Sequence, residues 1–123
     1  MLTNAPVFAT LAVENLERAK TFYQEKLGLK LLPEAMPGMA LFQCGKGTQL
    51  EMYEREASKA EHTVATFEVA DLASTVAELK SNGVTFEEYD FPDFKTVNSI
   101  ATIGPSKAAW FKDTEGNILC IHQ

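Results

Sequence analysis

The chain has 123 residues, 46% hydrophobic and 23% charged, with a formal net charge of -6. That length suits one core burying roughly two-thirds of the unfolded surface, so residues 1–123 read as a single domain. An acidic surface offers nothing to nucleic acid or an anionic membrane and tolerates a cationic guest.

No stretch reaches the ~18 apolar residues of a membrane helix, and no basic segment followed by an apolar run opens the chain. Cys44 and Cys120 lack metal or redox spacing and read as free thiols. The expected location is cytoplasmic.

The chain is written twice. Residues 7–16 (VFATLAVENL) align without gaps on 63–72 (TVATFEVADL), and residues 39–54 (MALFQCGKGTQLEMYE) on 108–123 (AAWFKDTEGNILCIHQ). Thr10 is thereby twinned with Thr66, Phe8 with Val64, and Glu51 with Cys120. The repeats span about 5–54 and 62–123.

In chain order, a strand over 7–13 precedes a helix capped by Asn15, with Leu16, Ala19, Phe22, Tyr23 and Leu27 as its apolar stripe and Gly28 as its left-handed stop. A short strand over 29–32 follows, then two strands around Gly45-Lys46-Gly47. Residues 54–61 (EREASKAE) read as a solvated linker.

The second module repeats the order: a strand from 63, a helix capped by Asp71 with Leu72, Val76 and Leu79 buried, a stop at Asn82-Gly83, a strand over 84–89, and two strands around residues 113–116. The fold class is α+β: tandem βαβββ modules, about eight strands and two helices, with mixed sheets curving around a shared cleft and helices outside. Residues 90–104 (DFPDFKTVNSIATIG) replace the much shorter 34–38 of the first module. Structureless connections of ~15 residues are uncommon unless functional. Phe91 and Phe94 make this segment a candidate lid, with a core-capping excursion as the alternative.

The runs LAVENLERAKTFYQEKLGLKL and VATFEVADLASTVAELKSNGV, with the closing AWFKDTEGNIL, resemble the vicinal oxygen chelate superfamily, which includes glyoxalase I, extradiol dioxygenases and bleomycin-resistance proteins. The resemblance covers nearly the whole chain. Its strongest parts are V-x-x-L-x-x-A-x-x-F-Y at 13–23 and D-x-x-G-N at 113–117. It implies a homodimer, and in metal-dependent members His or carboxylate ligands on the first and last strand of each module. Carried onto this chain, those positions are Phe8, Glu51, Val64 and Cys120.

Phenylalanine and valine have no lone pair, so the donor set falls short of a zinc site or an iron facial triad. The expectation is no metal and no cofactor. His62 and His122 lie two residues from Val64 and Cys120, displaced in opposite senses. On parallel strands the shifts add to roughly 13 Å, too far for a shared ion.

Period-2 alternation puts Phe8 and Thr10 on one face, with Glu51 and Tyr53, Val64 and Thr66, and Cys120 and His122 on the twin faces. With Trp110, the single tryptophan, they form a mixed apolar and hydrogen-bonding lining suited to a small molecule. Core packing is the alternative for the apolar members, and Cys120 reads as an inert buried thiol. The function expected is binding of a small organic molecule, bleomycin-resistance-like; the alternative is a glyoxalase-like lyase, isomerase or other enzyme using Glu51 as general acid or base, without a metal or with a non-standard metal site.

Overall fold

The computed structural model describes residues 1–33 and 36–123. Glu34 and Ala35, at the start of the 34–38 connection, lie outside the described residues. Two compact units emerge, Met1–Ser58 and Lys59–Gln123.

The first unit holds β1 (Ala9–Val13), α1 (Leu16–Thr21), a π-helical turn (Phe22–Lys26), β2 (Lys30–Leu32), β3 (Met39–Gln43) and β4 (Gln49–Glu54). The sheet order is β1-β4-β3-β2. β1 runs parallel to β4, and the other pairs are antiparallel. Alternation sends Leu11, Val13, Ala40, Phe42, Leu50 and Met52 to one face, all buried. The helical stripe of Leu16, Ala19, Phe22 and Tyr23 is also buried, and the Tyr23 and Phe42 rings meet at 5.8 Å. The π turn closes through Leu27 N–H to Phe22 O at 3.2 Å, and Gly28 stops it at φ +72°, a conformation that costs glycine little.

The second unit holds β5 (Thr63–Glu68), α2 (Leu72–Ser81), β6 (Asp90–Phe91), β7 (Phe94–Lys95), β8 (Ala101–Ile103), β9 (Ser106–Lys112) and β10 (Ile118–His122). Its main sheet, β5-β10-β9-β8, repeats the first topology. α2 packs on β9 and buries Leu72, Val76 and Leu79, as Phe111, Leu119 and Ile121 are buried in the sheet. The fold is α+β, with two βαβββ modules.

The helix starts show the duplication at atomic level. The Asn15 side chain accepts from Arg18 N–H at 3.0 Å and the Asp71 side chain from Ser74 N–H at 3.1 Å. A second cap comes from the far end of each module: Glu54 Oε2 accepts from Leu16 N–H at 3.0 Å, and Gln123 Oε1 from Leu72 N–H at 2.7 Å. Each cap contributes about 1 kcal/mol by satisfying a helix-end donor. Glu54, placed by sequence in a solvated linker, is thus the last residue of β4 and a helix cap.

Two further expectations are corrected. Residues 84–89 are not a continuous strand: Phe86 makes one antiparallel bridge to Phe111, and Glu87 N–H bonds Trp110 O at 2.8 Å. Residues 90–104 are not structureless, since they contain the β6–β7 hairpin and then β8, the fourth strand of the sheet. The excursion therefore supplies the edge strand, and residues 86–87 reach only the far end of β9.

Candidate functional site

In each module the helix packs on one sheet face, and period-2 alternation sends a second row of side chains to the other. On the open face of the first module, Thr10 lies opposite Glu51 on β4, and Glu51 opposite Leu41 on β3. The Thr10 hydroxyl donates to Glu51 Oε1 at 3.2 Å. Glu51 and Tyr53 are half-buried and Thr10 exposed, while Phe8 immediately precedes β1 and is 44% exposed. The Tyr53 hydroxyl accepts from Arg55 Nη1 at 3.3 Å, and this bond, ahead of charge effects, raises the arginine's pKa.

The same row recurs in the second module as Thr66, Cys120 and Trp110. Cys120 is 6% exposed. Burial pushes its thiol up, more than the Thr66 hydrogen bond pulls it down, so it stays a protonated, weak nucleophile. Trp110 is half-buried and meets Tyr89 edge-on at 5.8 Å and Phe94 at 5.4 Å. Phe91 stacks on Tyr89 at 6.2 Å and is 58% exposed. Burial, then Glu87 and Cys120, raises the Tyr89 hydroxyl's pKa. Centroids this close put the rings in mutual contact as an aromatic cluster.

His122 lies opposite Glu68, and its Nδ1 is 2.8 Å from Glu68 Oε2. Sequence reasoning missed this partner because Glu68 lacks an ionisable twin, although period-2 alternation places it on the open face. Within its module, His122 is engaged by a carboxylate and not by Cys120. Val64, half-buried, sits where the β5–β10 register shifts, so no β10 residue pairs with it.

The exposed His62 precedes β5, whereas His122 pairs with Glu68, six positions further on (68 − 62). At ~3.3 Å per residue this is about 20 Å along the strand, longer than the 13 Å counted from sequence, because parallel pairing sets Cys120 opposite Thr66 and not opposite Val64.

The residues at the superfamily's ligand positions do not fit a metal. Phe8 and Val64 contribute no donor atom, which leaves Glu51 and Cys120, fewer than the three protein ligands of a catalytic zinc site. Among the described residues, no group of three or more His, Cys, Asp and Glu side chains could hold a metal ion. No described helix is long and apolar enough to cross a membrane.

Comparison with solved structures shows the fold. A glyoxalase family protein from Enterococcus faecalis superposes with a TM-score of 0.73 at 19% identity, covering 100% of both chains. TnmS3, an antibiotic binding protein from Streptomyces sp. CB03234, gives 0.69 at 21% identity over 100% of this chain and 98% of that one. The fosfomycin resistance protein FosX from Listeria monocytogenes, complexed with Mn(II) and sulfate, gives 0.69 at 15% identity over 97% and 89%. No curated protein sequence matches the chain. The family model described as Glyoxalase/Bleomycin resistance protein/Dioxygenase superfamily matches residues 6–121, and the chain belongs to that superfamily.

Proposed function

We propose that this protein binds a small organic molecule without a metal, with Glu51 of the first module as polar anchor. The observation that carries the reading is the substitution pattern on the open sheet faces. Positions that hold metal ligands in metal-dependent relatives are Phe8 and Val64 here, while one carboxylate, Glu51, remains half-buried on the open face with Thr10 bonded to it. Apolar wall around a few oriented polar groups is the usual make-up of a small-molecule site. Tyr53 stands beside Glu51 in the first module, and on the twin face of the second module Trp110, with Phe91 and Phe94 as lid, supplies aromatic wall beside Thr66, Cys120 and His122. TnmS3, described as an antibiotic binding protein, supports a binding role.

The protein acts as a cytoplasmic homodimer in this reading. Cys44 and Cys120 are free, and β1 and β5 each end a sheet, leaving edges that a second copy would cover.

A second reading, acid–base catalysis, draws on the carboxylate–imidazole contact between Glu68 and His122 and on Glu51 beside a hydroxyl. The test is a titration of small organic cations and hydrogen-bond donors followed by Trp110 fluorescence. Glu51→Gln should weaken a bound donor by about 1.5–3 kcal/mol, roughly 10- to 150-fold, the range for a charged hydrogen bond. Unchanged binding with lost turnover in that variant would establish the enzyme instead.

A further inference from the structure

A groove of about 790 Å³ lies in the second module between α2 and the segment carrying β7 and β8, and Thr66, Trp110 and Cys120 are not among its lining residues. Val76, Ala77 and Lys80 line it from the helix, Lys95 and Ile100 from the facing segment, and Lys107 from β9. Its volume falls within the range of small-molecule sites. Its charge runs against the rest of the molecule: acidic side chains outnumber basic ones 17 to 11 in the chain, yet Lys80, Lys95 and Lys107 line the groove with Asp71 as the one carboxylate among its lining residues, while Lys80 also interacts with the Glu88 carboxylate and lies 6.0 Å over the Phe86 ring.

Asp71 is committed elsewhere, since its Oδ1 accepts from Ser74 N–H at the helix start. Lys95 Nζ is 3.6 Å from Asp90 Oδ1, a pair with both side chains largely exposed, which a competing anion can exchange at little cost. Lys107 is fixed in place by reciprocal backbone bonds with Gln123, 3.0 and 2.9 Å.

The facing wall is rigid. Val97 and Ile100 bond each other's backbone at 2.8 and 3.1 Å around Asn98 and Ser99, and Glu88 holds Ser99 N–H and Oγ at 3.0 and 2.7 Å. A preformed wall spares a ligand the entropy of ordering a loop. Val97 is 72% exposed at its rim, an apolar side chain that a ligand's body would shield from water.

We propose that this groove is a binding site for a small organic anion, a carboxylate or phosphate monoester with a compact apolar body, its charge met by Lys80 and Lys107 and its body lying against Val76, Val97 and Ile100. Phenyl phosphate is the probe, titrated into the full-length protein and followed by ¹H–¹⁵N NMR, with benzyl alcohol as uncharged control. Amide shifts are expected at Val76, Lys80, Ile100 and Lys107 and not at Trp110 or Cys120. The affinity should fall with added salt, and about tenfold or more in Lys80→Gln/Lys107→Gln, whose exposed positions leave the fold intact and whose spectrum reports this directly. Shifts centred on Trp110 and Cys120, an equal response to benzyl alcohol, no shifts at millimolar probe, or unchanged affinity in the double variant would each overturn the proposal.

Discussion

Glu88 is the side chain whose loss should matter most for its exposure. It is exposed, yet Oε1 accepts from Ser99 N–H and Thr96 Oγ1 at 3.0 and 2.7 Å, and Oε2 from Ser99 Oγ at 2.7 Å. Ser99 is 1% exposed with φ +72°, following Asn98 at φ +52°, so the carboxylate clamps two consecutive residues in left-handed conformations that they adopt reluctantly. Removing it strands a buried N–H and a buried hydroxyl at about 1–3 kcal/mol each. Since water can reach the vacated side, the net expectation for Glu88→Ala is about 2 kcal/mol.

Hydrogen bonds from Ser99, then Thr96, with Lys80 adding charge, hold the Glu88 carboxyl below the usual carboxylate range. A depressed folded-state pKa makes the contribution complete above the unfolded value near 4.3 and lost as pH falls through the lower folded value. Trp110 is the single tryptophan and lies in this module, so its fluorescence in urea reports the relevant unfolding. With a slope of about 1 kcal/mol/M, the midpoint of Glu88→Ala should drop by about 2 M at pH 7. The difference from the parent should shrink below pH 4. A change under about 0.5 kcal/mol, or a difference independent of pH down to 3, would refute the clamp.

Three further outcomes are expected. Phe42→Ala should destabilise the first module by about 3–5 kcal/mol by circular dichroism, because Phe42 is 0% exposed against Tyr23; a loss below 1 kcal/mol would mean the core reseals. Protein purified without chelator should carry substoichiometric zinc, nickel, iron and manganese by elemental analysis, and one equivalent lost on Glu51→Ala would contradict the donor-set argument. Light scattering at tens of micromolar should give twice 13.6 kDa, and the mass of one chain would remove the homodimer.

The duplicated frame was legible because the helix signals are local: a cap, a stripe at three and four residues, and a glycine stop recur at Asn15–Gly28 and at Asp71–Gly83. The turn at Asp113 was legible as well, since Asp113 Oδ1 accepts from Glu115 N–H and Asn117 N–H, both at 2.8 Å, within five residues. The Glu54 and Gln123 caps were not, because they span 38 and 51 residues and depend on where the last strand ends.

β8 could have been found. Gly104-Pro105 is a turn signal, and Gly104 sits at φ +59° between β8 and β9. Strand pairing puts Thr10 beside Glu51, Thr66 beside Cys120, and Glu68 beside His122. Register then decided neighbours: parallel pairing sets Glu51 opposite Thr10 and Cys120 opposite Thr66, not opposite Phe8 and Val64, which is why the distance between His62 and His122 was undercounted.

The most direct test of metal-free binding is a crystal structure of the protein purified without chelator and soaked with the tightest ligand from the fluorescence titration. Electron density for the organic molecule should contact the Glu51 carboxylate, with no metal in the first coordination shell of Glu51. A metal ion bound to Glu51, or an open face filled by the protein's own side chains with Glu51 turned to solvent, would contradict it.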